Sequence, residues 1–288
     1  MAKAPLDLYG LQIIEAAAPI VHNRACGTMR FAMPVTPSPA ATLVLLRDRD
    51  AVEVLVIQRH RGSRFAAGDF VFAGGKVEAD DNPPDAIEWC RGLTMAEAAR
   101  RLSLDNPRVA LPYWIGAIRE AFEEVGVLLA YGPDGTLVDT GAPRYGEYRR
   151  AYQDDNRVFW AMVRSERLAL ATDRIVYFAH WITPEEAPLR FDTRFFAVEM
   201  PPAQEASADE KEIVAVRWLT PRGALEARER GEISLRRPTM ANLELLVGAR
   251  ASEVIARLGR RDVSTIRPRI VIENGVQRAL LPGDPGYF

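Results

Sequence analysis

Residues 119–127 read Arg119-Glu120-Ala121-Phe122-Glu123-Glu124-Val125-Gly126-Val127. On a helix that advances about 100° per residue, the three glutamates fall within one arc and the apolar residues lie opposite them. Like charges three and four residues apart destabilise a helix, so this arrangement indicates a bound cation. The glycine that follows supplies a helix stop. A solvated acidic face is the alternative for three glutamates taken alone.

A second informative stretch lies about forty residues upstream and reads Phe72-Ala73-Gly74-Gly75-Lys76-Val77-Glu78. It follows a short apolar run that is predicted to be a strand. A Gly-Gly pair after a strand lets the backbone approach a ligand or a metal closely. The pair therefore favours a binding site over a solvated acidic face.

Together the two stretches resemble the Nudix box, whose pattern is G-x5-E-x7-R-E-U-x-E-E-x-G-U with U apolar. Residues 119–127 fit the second half at each defined position, and Gly75 fits the opening glycine. Asp81 stands where the family has glutamate. The 37 residues between Asp81 and Arg119 replace the seven of the pattern, so the box is interrupted by 30 extra residues.

This resemblance implies an α/β protein with the Nudix fold, a mixed β-sheet in an α/β/α sandwich. We expect one domain over residues 1–288, with a core at about 38–230. A helical insertion at about 82–116 interrupts the box, and a helical C-terminal extension follows at about 231–288. The stretch Arg190-Phe191-Asp192-Thr193-Arg194-Phe195-Phe196 resembles the branch that contains the peroxisomal coenzyme A diphosphatases, which also carries a long insertion in its box.

Apolar runs and turn residues predict the individual elements. Residues 40–46 and 52–58 are expected to form a β-hairpin. Within the insertion, Thr94 is predicted to cap a helix that spans Met95 to Leu102. Single helices are expected at 144–166 and 239–259, with a Pro- and Gly-rich tail after the second. The loop at 203–209 is expected to be mobile.

The glutamates suit a hard divalent cation, since Mg²⁺ prefers carboxylate oxygens and keeps several waters. By resemblance, Glu120 and Glu124 are the strongest ligands of Mg²⁺ or Mn²⁺, with Glu123 sharing the site. The backbone carbonyl of Gly75 is a plausible further ligand. Arg119 would orient a box carboxylate.

Two assignments stay open. Glu78 and Asp81 could bind metal through water or cap the loop. The general base is predicted to be Glu123, with the carboxylates of a later loop as alternatives: Glu205, Asp209, Glu210 and Glu212.

Substrate choice is expected to depend on the loop before the Gly-Gly pair. Its pattern Arg59-x4-Arg64-x3-Gly68-x3-Phe72-x-Gly74-Gly75 resembles the signature of Nudix enzymes that cleave coenzyme A, although His60 and Ala73 depart from it. Arg59, Arg64 and Gly74 are therefore predicted to bind the substrate, with the arginines on its phosphates. Two solvent-facing arginines are the alternative.

Composition narrows the class of partner. The 37 basic and 39 acidic residues leave a net charge of −2, which predicts no nucleic-acid partner. No apolar run suggests a membrane span, and two cysteines without a Cys/His cluster suggest no zinc site. A cytoplasmic location is expected, and the chain could form a homodimer.

The leading prediction is a metal-dependent hydrolase of a nucleoside diphosphate-X, most simply a coenzyme A or acyl-coenzyme A diphosphatase. An ADP-ribose, ADP-sugar or NADH pyrophosphatase is the second prediction. A catalytically silent Nudix-fold nucleotide sensor is the alternative of another class, against which the intact acidic residues argue.

Overall fold

The computed structural model describes residues 35–63, 65–273 and 276–287. Its strands are β1 (Ser38–Asp48), β2 (Val52–Arg59), β3 (Phe70–Val71), β4 (Ala73–Lys76), β5 (Ala130–Tyr131), β6 (Ala169–Leu170), β7 (Val176–Ile182), β8 (Phe191–Glu199), β9 (Ile213–Leu219), β10 (Thr265–Ile266), β11 (Arg269–Glu273) and β12 (Val276–Leu280). Its helices are α1 (Met95–Leu102), α2 (Leu111–Val125), α3 (Pro143–Tyr152), α4 (Val158–Ser165), α5 (Pro221–Glu229), α6 (Arg237–Leu245) and α7 (Ala251–Gly259).

Within these ranges, eight strands form one mixed sheet in the order β10-β7-β8-β1-β2-β3, with β4 also paired to β1 and β9 to β2. Strand β1 runs parallel to β8 and antiparallel to β2, which confirms the predicted hairpin. The C-terminal part of β1 pairs with β2, and its N-terminal part pairs with β4. The Gly-Gly pair on β4 therefore lies beside Ala41 and Thr42 at the centre of the sheet.

Side chains alternate between two cores on the opposite faces of the sheet. On β1, Leu43 and Leu45 face the core that contains α2, whereas Val44 and Leu46 face the core that contains α5, α6 and α7. The layers are therefore helix, sheet and helix, and the predicted α/β/α sandwich is confirmed.

The inserted segment folds against the α2 side. Helix α1 has the predicted bounds, and the Thr94 hydroxyl accepts a hydrogen bond from the Glu97 amide at 3.1 Å. Leu93 and Leu102 are buried in the core beneath α2. The last six residues of the predicted insertion, 111–116, form the first turns of α2, so the box helix is longer than the motif.

Two long helices predicted from the sequence are each two helices. The stretch 144–166 breaks between α3 and α4, where Asp155 turns its carboxylate onto the Arg157 amide at 3.0 Å, because short polar side chains compete with helical hydrogen bonds. The stretch 239–259 breaks between α6 and α7. The first amide of α7, on Ala251, donates to Asp48 of β1 at 2.8 Å, a contact that local sequence does not show.

The C-terminal extension contains strand as well as helix. Strand β10 adds to the sheet beside β7, and β11 pairs with β12 in a separate hairpin. The predicted tail is thus partly ordered as strand. No helix in the described part of the chain is both long enough and apolar enough to cross a bilayer.

Candidate active site

Helix α2 carries the acidic cluster to the edge of β4. It ends at Gly126, whose φ of 72° is left-handed and suits glycine. Exposure of the three glutamate side chains increases from 4% for Glu124 to 12% for Glu120 and 26% for Glu123. The three carboxylates thus lie between a buried core and open space, as a metal-binding face requires.

Arg119 is the central contact of the cluster. It is buried, and its Nε and Nη2 donate to the two oxygens of Asp81 at 2.7 and 3.0 Å. Its Nη1 donates to Glu120 at 2.9 Å and to Glu123 at 3.3 Å. The arginine therefore orients two box carboxylates while Asp81 holds the arginine.

The role of Asp81, left open by the sequence, follows from these contacts. Its side chain is fully buried, and it binds the guanidinium as a bidentate pair. It also accepts from the Glu78 amide at 2.8 Å and so closes the turn that follows β4. Asp81 thus caps the loop, which is one of the two roles left open, and in addition it orients Arg119.

Glu124 is held by two residues that were predicted to bind the substrate. The Gly74 amide donates to it at 2.8 Å, and Nη1 of Arg59 lies 3.3 Å from its other oxygen. The second amino group of Arg59 lies 3.3 Å from Glu212. Arg59 and Gly74 line the cavity described below, but in this structure their polar atoms contact carboxylates.

Gly75 leaves room for Glu120. A Cβ atom built on Gly75 would lie 2.5 Å from Oε1 of Glu120, well inside contact distance. Glycine at this position therefore allows the Glu120 carboxylate to rest against the strand. The Gly75 carbonyl as a further metal ligand stays a prediction.

Electrostatic crowding accompanies this packing. Burial and the neighbouring charge of Glu120 raise the pKa of Glu123 to about 8. Burial also raises the pKa of Glu120 and, well above its ordinary value, that of Glu124. For Arg119, burial opposes the charged form, but Glu120 and Asp81 outweigh it and raise the pKa of the guanidinium.

A divalent cation fits this donor set. Among the described residues, no group of three or more His, Cys, Asp or Glu side chains is arranged to hold a metal ion. Glu120 and Glu123 contact Arg119, and Glu124 contacts the Gly74 amide. The carboxylates are nonetheless crowded and hard, and a divalent cation would offset their mutual repulsion.

A cavity of about 1270 Å³ opens from the carboxylates over the sheet face opposite α2. One row of its floor crosses four strands, through Trp181, Thr193, Ala40 and Lys76, which are paired in register. Three inter-strand spacings make this row roughly 14 Å long. The side chains in the middle of this row, Thr193 and Ala40, are small, and the residue at the end far from Lys76 is the aromatic Trp181.

The walls of the cavity come from outside the box. The far end is closed by apolar side chains from the end of β7, the loop after it, the start of β8 and the C-terminal extension, namely Ile182, Pro184, Leu189, Phe191, Pro268 and Ile270. The sequence analysis assigned none of these residues to a site, because they come from separate strands and loops that only the tertiary fold brings together.

Arg149 of α3 is a second contact that the sequence did not indicate. It donates to the carbonyl oxygens of Glu123 at 2.9 Å and Glu124 at 2.8 Å, at the C-terminus of α2. It also donates to the hydroxyl and carbonyl of Ser207 at 3.0 and 2.9 Å. The loop at 203–209, predicted to be mobile, is thereby fastened to the box helix.

Among the later carboxylates considered as bases, Asp209 and Glu212 line the cavity. Asp209 uses its oxygens to accept from the backbone amides of Glu212 and Ile213. Arg64 lies outside the described residues, so its role stays a prediction.

The model of the NUDT19 Nudix domain matches residues 17–246 of the chain. The chain belongs to this family. The Nudix chain is 30% identical over 233 residues to an acyl-coenzyme A diphosphatase NUDT19 of Gallus gallus, covering 66% of its own length and 60% of the relative's. It is 27% identical over 227 residues to the protein of the same name from Xenopus laevis, and this match covers 67% of the Nudix chain and 59% of the relative. The Nudix chain thus spans about three fifths of the length of these relatives.

A solved structure supports the fold. The crystal structure of a NUDIX hydrolase from Alicyclobacillus acidocaldarius superposes with a TM-score of 0.64 at 29% sequence identity. The alignment covers 79% of the Nudix chain and 99% of that structure. The sheet and box helix described above are therefore those of a Nudix hydrolase.

Proposed function

We propose that this chain is a Mg²⁺- or Mn²⁺-dependent diphosphatase that hydrolyses coenzyme A or acyl-coenzyme A. The observation that carries the proposal is the three-carboxylate face of α2, placed at the mouth of a cavity whose far end is apolar. Two relatives that bear the name acyl-coenzyme A diphosphatase support the choice of substrate.

The metal ligands in this proposal are Glu120, Glu124 and Glu123, with the carbonyl of Gly75 beside them. A bound divalent cation would neutralise the diphosphate and lower the pKa of an attacking water. Arg119 keeps Glu120 and Glu123 in place, and Gly74 and Arg59 do the same for Glu124. These residues position ligands and do not themselves react.

The proposed base is Glu123, because it is the most exposed of the three carboxylates and faces the cavity. It would take a proton from water as a new oxygen–phosphorus bond forms and the bridging phosphorus–oxygen bond breaks. Glu212 is the second candidate, since it lines the same space and is held by Arg59. Comparison of kcat for Glu123→Gln and Glu212→Gln at saturating Mn²⁺ decides between them, because saturating metal compensates for a weakened ligand and does not restore a lost base.

The apolar far end supports an acyl-coenzyme A in particular. A diphosphate bound at the carboxylates would send its pantetheine arm along the floor of small residues toward Trp181 and Phe191. An ADP-sugar would leave this apolar surface uncovered. The apolar far end of the cavity therefore favours the coenzyme over the second prediction, a pyrophosphatase for ADP-ribose, ADP-sugars or NADH.

A panel of substrates tests the proposal. Purified protein is incubated with Mg²⁺ or Mn²⁺ and coenzyme A, a medium-chain acyl-coenzyme A, ADP-ribose, NADH or a diadenosine polyphosphate, and the products are separated. We expect 3′,5′-ADP and a 4′-phosphopantetheine from the first two. Preference for ADP-ribose would contradict the choice of substrate, and tight binding without turnover of any diphosphate would indicate the sensor.

Three expectations from the sequence stay predictions: a cytoplasmic location, a homodimer, and the absence of a nucleic-acid partner.

A further inference from the structure

The C-terminal extension places an arginine in the wall of the cavity. Arg236 lies just before α6, and its Nε donates to Asp69 at 2.7 Å. Its guanidinium also lies 4.5 Å from the centre of the Phe65 ring. Only 13% of its side chain is exposed. The guanidinium is thus fixed in one orientation before any ligand arrives, which reduces the entropy lost on binding.

The two terminal amino groups of this guanidinium have no hydrogen-bond acceptor among the described residues. Arg236 lines the cavity. Thr239, three residues on, is buried in the same wall, and its hydroxyl has no partner in the described residues. The N-terminus of α6 between them has no side-chain cap, so its dipole adds to the attraction for an anion.

The other basic side chains of the cavity differ from this one. Both terminal amino groups of Arg59 and of Arg119 already contact carboxylates or a backbone carbonyl, whereas Arg236 uses only its Nε for the pair with Asp69. Lys76 and Arg61 are exposed. Among the described lining residues, Arg236 is therefore a cation that is both held rigidly and able to accept a new anion.

We propose that Arg236 and Thr239 form a subsite for a phosphomonoester, and that this phosphate is the one on the ribose of coenzyme A. A planar guanidinium with two free amino groups matches two phosphate oxygens, and the threonine hydroxyl can donate to a third. The inference rests on the proposed function, in which the diphosphate is bound at the carboxylates of α2. ADP-ribose, ADP-sugars and NADH have no phosphomonoester at the 3′ position of the adenosine ribose, so the subsite would select coenzyme A against them.

Kinetics with coenzyme A and 3′-dephospho-coenzyme A test the subsite. Arg236→Met should raise KM for coenzyme A about ten- to a hundredfold, the loss expected for hydrogen bonds to a charged group, and leave kcat unchanged. KM for the dephospho form should rise much less, because it is affected only by the Asp69 carboxylate that the substitution leaves unpaired. Thr239→Val, which keeps the shape of the side chain and leaves Asp69 paired, should raise KM for coenzyme A about tenfold or less.

Arg237→Met is the matched control, because it removes the same charge from the next residue, which does not line the cavity. If the control and Arg236→Met have equal effects, or if Arg236→Met raises KM for both substrates equally, the subsite is overturned.

Failure of the proposed function would give a different result. If the unmodified protein cleaves neither form of coenzyme A, calorimetric titration with 3′,5′-ADP and with 5′-AMP still decides about the subsite. Tighter binding of the bisphosphate that disappears in Arg236→Met supports it. Equal binding of the two nucleotides to the unmodified protein overturns it.

Discussion

Asp81 and Arg119 are 38 positions apart in the chain, yet their side chains make two hydrogen bonds in a buried pair. Replacing one partner of such a pair leaves an uncompensated buried charge. We expect Asp81→Asn to lower the free energy of unfolding by about 3 kcal/mol, as measured by urea denaturation. Glu97→Gln, which breaks the exposed pair with Arg101, is the control and should cost less than about 1 kcal/mol. If both variants lowered the free energy of unfolding equally, the pair of Asp81 and Arg119 would not stabilise the fold as a buried ion pair does.

A side chain at position 75 should displace the Glu120 carboxylate. Gly75→Ala puts a methyl group where Oε1 of Glu120 now lies, so the carboxylate must move while the backbone stays in its ordinary conformation. We expect kcat/KM for the diphosphate substrate to fall about a hundredfold. Gly146→Ala, on α3, is the control, since its nearest neighbour would be a flexible arginine at 3.6 Å. Full activity of Gly75→Ala would show that Glu120 need not occupy this place.

At the scale of elements, Arg149 joins α3, the end of α2 and the loop at 203–209. Arg149→Met removes four hydrogen bonds at once. We expect it to weaken Mn²⁺ binding, observed by electron paramagnetic resonance, and to lower the free energy of unfolding by about 2 kcal/mol. Arg150→Met, on the exposed side of α3, should change neither quantity. Mn²⁺ binding that is unaffected by loss of Arg149 would leave the arginine a purely structural role.

Sequence reasoning succeeded for elements whose signals are local. The helix that carries the box glutamates, the hairpin and the capped helix α1 each follow from residues a few positions apart. The breaks between α3 and α4 and between α6 and α7 were missed. Residues 153–157 are polar but contain no proline or glycine, and the contact of the Ala251 amide with Asp48 at the start of α7 is tertiary. The contacts of Arg149 and Arg236 were also out of reach, because each links segments that only the tertiary fold brings together.

At the scale of the whole molecule, metal binding should be visible as stability. A cation that binds only the folded chain at 100 times its Kd stabilises it by about 2.7 kcal/mol, which corresponds to a rise in Tm of about 5 °C. We expect this rise with Mg²⁺ or Mn²⁺, its reversal by a chelator, and its loss in Glu124→Gln, which should also abolish turnover. KCl at equal ionic strength is the control. A Glu124→Gln protein whose Tm still rises would place the cation elsewhere.

The pair of Asp81 and Arg119 has one more consequence, for how such a chain could tolerate inserted sequence. The pair brings the two ends of the inserted segment together. The length of that segment therefore affects the site chiefly through the entropy of closing a loop. Extending that loop from seven residues to 37 costs about 1.5 kcal/mol, and Leu93 and Leu102 offset this by burying their own side chains. The inserted segment should therefore be replaceable by another folded segment of different length while the carboxylates of α2 keep their positions.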